Sequence, residues 1–150
     1  MKYRPGDIGL AVKRLQYRHH RALNQVLAPL GLSLVQWDTL RHLDRNPDAS
    51  LHDLALLTFQ TDQSFGSLAI RMAASGLIER VPGPGRAVKH RLTGKGARLR
   101  AEGQAAVDAV FESSFGHLTP AQLDELGDLL DLALGSGPTA VHPDDPAASP

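Results

Sequence analysis

No cysteine occurs in this chain, and that absence excludes disulfides, thiolate metal sites, cysteine nucleophiles and thiol-based redox sensing. Long apolar runs are missing as well. The opening MKYRPGDIGLAVKRLQYRHHR holds no uninterrupted apolar stretch, and no window approaches the roughly 18 apolar residues that suggest a membrane span. The expectation is a cytoplasmic protein with no membrane partner. Glycine-rich phosphate loops and the GxSxG nucleophile motif are also absent, so no enzyme is expected. His52 and Asp53 sit in the opening turn of a helix, which accounts for them without catalysis. His19, His20 and His42 lack HxxxH spacing or a carboxylate cluster to complete a ligand set, so no metal and no other cofactor is expected.

Basic residues are missing from one part of the chain. Residues 101–150 carry 9 Asp/Glu and no Lys or Arg, residues 61–100 carry 8 Lys/Arg against 2 Asp/Glu, and residues 1–60 carry 8 against 5. The net charge of zero therefore conceals a basic middle and an acidic C-terminal third. Segregation on this scale lets one surface attract a polyanion while another repels it.

What the chain does contain is helical periodicity, interrupted once. Apolar residues at 8, 12, 15, 22, 23, 26 and 27 mark one face of a first helix, which Pro29 and Gly31 end. Ser33 and Gln36 form a capping box for a second helix with Trp37, Leu40 and Leu43 inward, ending before Pro47. Ser50 caps a short third helix through about Leu57, with Leu51, Leu54 and Ala55 inside. After the tight Thr58–Thr61 connection, Phe65, Leu68, Ala69 and Met72 define a fourth helix over roughly 62–75, and Gly76 suits a left-handed residue just past its end. Thr93 caps a long fifth helix with Leu99, Ala106, Val110 and Phe111 inward. Thr119, Pro120 and Gln122 open a sixth, which runs to Gly135. Residues 137–150, rich in Pro, Ala and Asp, read as a disordered tail.

The interruption is LIERVPGPGRAVKHRLTGKG, residues 77–96. Leu77–Val81 and Ala87–Leu92 alternate like strands around a Gly/Pro tip, giving a short antiparallel hairpin with Arg86 near its end and Lys89 and Arg91 on one face. The fourth helix carries Gln63, Ser64, Ser67 and Arg71 on its outer face, short hydrogen-bonding groups where a solvated helix would carry mostly Lys and Glu. Two helices joined by a tight turn and followed by a basic hairpin form a winged helix-turn-helix. The fold class is thus mainly α with a small β-hairpin wing. A helix fits the major groove of double-stranded DNA, where Gln and Ser exchange hydrogen bonds with base edges, while the wing places an arginine against the narrow minor groove. The DNA-binding set is Thr61, Gln63, Ser64, Ser67, Arg71, Arg86 and Lys89.

The phrases LAPLGLSLVQWDTLRHL (27–43), SLHDLALL (50–57) and RMAASGLIERVPGPGRAVKHRLTGKG (71–96), followed by a helical C-terminus, resemble the MarR family of bacterial transcriptional regulators. The resemblance covers about residues 8–135. It implies a homodimer held by the first, fifth and sixth helices, binding pseudo-palindromic DNA with the fourth helix in successive major grooves. It also implies a pocket for a small aromatic or phenolic effector, bordered by Tyr17, His20 and Trp37. Two positions depart from the family pattern: Gly85 stands where an acidic residue often precedes the wing arginine, and Ser67 stands where a basic residue is common. The expected organisation is one regulator domain over 1–136, with a DNA-binding lobe at 33–95 and dimerisation helices at 8–30 and 96–135. The expected function is that of an effector-responsive repressor. The competing reading is a winged-helix protein–protein interaction module, whose basic face would be mere solvated surface. The excess of positive charge over residues 61–100 favours DNA.

Overall fold

The computed structural model describes residues 1–82, 85 and 88–135. Its elements are α1 (Pro5–Leu27), a 3-10 turn (Ala28–Leu30), α2 (Leu34–Arg45), α3 (Leu51–Leu57), α4 (Asp62–Ala74), β1 (Ile78–Val81), β2 (Lys89–Leu92), α5 (Gly94–Phe115) and α6 (Pro120–Leu134). The helix starts follow from capping chemistry. Ser33 and Gln36 exchange both capping bonds, as do Ser50 with Asp53 and Thr119 with Gln122, while the Thr93 hydroxyl accepts from the Gly96 N–H. Asp53 is thereby occupied in holding the first turn of α3, and those bonds keep its carboxyl below the usual carboxylate range. The strands pair antiparallel with Ile78 opposite Leu92 and Val81 opposite Lys89. Each strand is shorter than its sequence pattern suggested. The proposed tail, 137–150, lies outside the described residues, as do positions 83, 84, 86 and 87.

The core sits where the C-terminal half of α1, α2, α3, α4 and the first two-thirds of α5 converge. Leu27, Leu40, Leu54, Phe65 and Met72 are its most deeply buried apolar side chains. They come from the inward positions of four helices, which is what the 3.6-residue period requires. Two glycines of α5 let that helix close on the rest. A Cβ on Gly103 would stand 2.5 Å from the indole of Trp37, and one on Gly96 would overlap the carbonyl oxygen of Leu77. The Trp37 Nε1–H then donates to the Arg100 carbonyl at 3.1 Å, and Arg100 pairs with Asp44 at 3.2 Å, so α2 is clasped to α5 over several turns. The α1–α2 junction is fixed by Asn24, whose Oδ1 accepts from the Leu34 N–H at 2.8 Å.

The outer half of α1 and all of α6 are different. Ile8 and Val12, inward on the first helix by periodicity, are each 49% exposed, and α6 has no buried residue in the described single chain. Inward positions on α5 are corrected too. Val107 is buried alongside Gly96 and Gly103, whereas Leu99, Ala106, Val110 and Phe111 are only half-buried.

The clasp gives a direct prediction. Gly103→Ala adds a methyl group against a rigid, buried indole, and this overpacking should outweigh the better helix propensity of Ala, with a net loss of about 1–3 kcal/mol. A thermal melt should show a drop of several degrees; an unchanged or raised midpoint would mean that α5 does not depend on this close approach.

Candidate nucleic-acid interface and effector cleft

The helix-turn-helix is built from α3, a tight turn, and α4. Thr61 caps α4 by accepting from the Ser64 N–H at 3.1 Å, while Phe65, Leu68, Ala69 and Met72 pin its inner face to the core. That anchoring leaves Gln63, Ser64, Ser67 and Arg71 exposed together on the outer face, as their spacing requires. Ile70, 73% exposed, joins the same stripe and was not legible as a surface residue from its type. An uncovered β-branched side chain between two polar ones is suited to a thymine methyl group in a major groove. The turn is further tied by His52 Nδ1 and Asp62 Oδ1, 2.8 Å apart, joining the first turns of α3 and α4.

The hairpin follows α4 directly. Its inward face carries Ile78, His90 and Leu92, and its outward face carries Glu79, Lys89 and Arg91. Lys89 and Arg91 share a face as the alternation implied, but acids stand beside both. Arg91 Nε reaches Glu79 Oε1 at 2.7 Å, and Lys89 Nζ lies 3.7 Å from Asp48 Oδ1 while its strand bridges Ser50. Arg80 is an exposed wing cation that the sequence reading missed, facing the same side as His90 from the partner strand. Arg86 lies outside the described residues. Gly85 has φ +99°, a backbone state that favours glycine over any acid at this position.

A cleft of about 600 Å³ opens where α1, α2 and α5 meet the helix-turn-helix turn. Trp37, Phe111 and Leu34 supply apolar wall, Arg41 and Arg45 supply positive charge, and His20, Phe59 and Gln60 stand at its sides. Two of the three predicted pocket residues, His20 and Trp37, line it. Tyr17 does not line it; it is 58% exposed, with the Arg21 guanidinium 5.8 Å from its ring centre. Arg41 donates to Asp38 Oδ1 through Nη2 at 2.7 Å and Nε at 3.0 Å. Burial pushes the Asp38 carboxyl upward, but bonds from His42 and Arg41, together with their charge, hold it below its usual value. The guanidinium of Arg41 is thus aimed by an ionised partner.

The paired histidines of α1 have protein partners. His19 Nε2 is hydrogen-bonded to Ser114 Oγ at 2.6 Å with its ring edge-on to Phe111 and Phe115, and His20 lies against Asn24. No cluster of three metal-ligating side chains occurs among the described residues, and no helix among them is long and apolar enough to cross a membrane.

A helix-turn-helix that presents a polar stripe, with a two-stranded hairpin beside it, defines a winged helix-turn-helix protein. The MarR family model matches residues 30–87, which span α2 to the hairpin tip. The HTH-type transcriptional repressor IacR of Pseudomonas putida is 25% identical over 121 residues, covering 79% of this chain and 72% of its own. The HTH-type transcriptional repressor Rv2887 of Mycobacterium tuberculosis is 29% identical over 116 residues, covering 76% and 83%. From α2 to the hairpin the chain is thus similar to MarR-family proteins. Rv2887 has been solved as a complex with salicylic acid, at TM-score 0.71, 25% identity and coverage of 88% of this chain and 98% of that one. A MarR mutant from E. coli complexed with operator DNA shares the fold at TM-score 0.77 and 22% identity, covering 85% and 93%.

His90 makes the wing sensitive to acid. It is 7% exposed, its Nδ1 has no hydrogen-bond partner among the described residues, and burial followed by the nearby charge of Arg80 holds it below its ordinary value. The folded state thus binds this proton less well than the unfolded chain does, so stability falls as pH drops below about 6.5 toward the lower folded value. Urea unfolding at several pH values should show that decline, and His90→Leu should flatten it. An equally steep acid limb in the variant would assign the effect elsewhere, His19 being the other imidazole held low, by burial and then by Arg18.

Proposed function

We propose that this protein is a sequence-specific, DNA-binding transcriptional repressor that acts as a homodimer and releases DNA when a small aromatic acid occupies the cleft beside Trp37. The carrying observation is the outer stripe of α4. Four polar groups and Ile70 are presented by a helix whose opposite face is locked into the core, with the wing alongside. Uncharged Gln and Ser read base edges, and Arg71 supplies charge for phosphate or guanine. The protein is a cytoplasmic regulator that performs no catalysis.

Dimerisation is supported by the apolar surface that the single chain leaves uncovered. Ile8 and Val12 on α1 and Leu126 and Leu130 on α6 line an apolar cleft of about 570 Å³, and Leu132 and Leu134 are 72% and 77% exposed. A second copy would cover this face and set the two α4 helices at a fixed separation for a two-fold operator. The aromatic-acid reading is supported by the rings of Trp37 and Phe111 beside the Arg41 guanidinium, and by salicylic acid bound to Rv2887.

The test is competition binding with a duplex selected from genomic fragments against random duplex, at about 50 and 200 mM salt. Gln63→Ala should cost roughly 1–3 kcal/mol on the selected duplex and little on random DNA, whereas Arg71→Ala should weaken both and shallow the salt dependence. Light scattering should give twice the 16.1 kDa chain mass at micromolar concentration. Salt-independent binding, or Gln63→Ala weakening both duplexes alike, would remove α4 as the reading element.

A further inference from the structure

One residue of the helix-turn-helix breaks a local rule. Phe59 has φ +56°, and it is the single non-glycine residue with positive φ among those described. Its position explains the angle. The Gln60 N–H donates to the Ala55 carbonyl at 2.8 Å and the Phe59 N–H to the Leu56 carbonyl at 3.2 Å. This pair of bonds closes α3 in a Schellman motif, with Phe59 in the left-handed slot that normally takes glycine. A bulky side chain there is strained. The two backbone bonds hold that conformation, yet Phe59 is 93% exposed, so no side-chain packing offsets its cost in the single chain. The ring stands at the edge of the Trp37 cleft, and Phe59 is followed at once by Gln60 and the α4 cap, Thr61.

We propose that Phe59 is the closing residue of this cleft: its ring folds over an aromatic acid held between Trp37, Phe111 and Arg41, and the turn that carries it passes the closure to α4. The inference rests on the effector reading above and names the residue that couples effector to DNA. Folding the ring inward trades an exposed phenyl for a buried one in edge or face contact with the ligand, a gain available only when the cleft is filled. Because the same backbone segment sets the entry into α4, a ligand that favours the closed ring favours one placement of the reading helix over the other, which is the condition for coupling. Glycine in this slot would satisfy the backbone and weaken the coupling.

Salicylate is the probe. Its affinity for the 150-residue protein is measured by calorimetry, and DNA affinity by fluorescence anisotropy with and without saturating salicylate, for the wild type, Phe59→Gly and Phe59→Tyr. Phe59→Gly should bind salicylate about tenfold more weakly. Its salicylate-induced loss of DNA affinity, taken against its own ligand-free value, should be at least about threefold smaller than the wild type's. It should melt no lower than the wild type, because glycine suits the left-handed backbone. Phe59→Tyr, which keeps the ring, should behave like the wild type. If Phe59→Gly binds salicylate and releases DNA as the wild type does, the proposal is overturned while the effector reading stands. If Phe59→Gly instead loses DNA affinity without salicylate and keeps its response, the ring belongs to the DNA interface and the proposal is equally overturned. A wild type that neither binds nor responds to salicylate overturns both.

Discussion

The indole of Trp37 occupies the space that a side chain on Gly103 would need, and the rest of the architecture depends on that approach. It brings α5, the longest helix after α1, against α2 closely enough for the Trp37 N–H to reach the Arg100 carbonyl. Interiors pack at crystal-like density, so a helix pair set this close fixes the position of everything stacked on it. Here α2 packs on α3 and α3 in turn on α4, while α5 carries α1 through Phe111 and the His19–Ser114 contact. One close approach therefore holds the proposed DNA-reading lobe and the helices proposed to meet a second copy in a single body.

The same approach explains why the proposed effector cleft lies where it does. The indole is buried by Gly103, but a neighbouring side of it faces the space between α1, α2 and the α3–α4 turn. A ligand there touches the wall of the clasp, the outer helix and the turn that launches α4. Few other places in the chain would let one small molecule bias the relation between the two lobes, because the core between them is close-packed and does not deform continuously.

How much of this the sequence carried can be judged residue by residue. The caps at Ser33, Ser50, Thr93 and Thr119 were legible because each depends on groups three residues apart, and the inner faces of α2 to α4 because burial there follows helical period. The outer stripe of α4 was legible as the complement of that face. Contacts between distant segments were not. Nothing local marks Gly103 as the seat of an indole 66 positions earlier in the chain, Asn24 as the partner of the Leu34 N–H, or Tyr17 as lying off the cleft. Ile8 and Val12 were assigned inward but stand half-exposed in the single chain, because what covers a face is not written in its period. Phe59 was not legible for a different reason: its type argues against the left-handed slot that the two bonds closing α3 impose on it.

The paired wing cations bear on how strongly this surface can hold DNA. Arg91 with Glu79 and Lys89 with Asp48 reduce the positive charge that the hairpin shows to solvent, so the excess counted over residues 61–100 overstates the bare field at the wing. Yet these pairs are solvent-exposed, with Asp48 97% exposed at its side chain, and exposed pairs contribute about 0–1 kcal/mol. A phosphate that neutralises the same cation also releases condensed counterions, a larger and salt-dependent gain. If the wing meets DNA as proposed, competition would favour the phosphate at low salt, so the acids lower the resting field without blocking the cations. On the same proposed reading they would add repulsion toward DNA that approaches out of register, so the pairing that weakens the wing's general attraction would sharpen the geometry in which α4 meets bases.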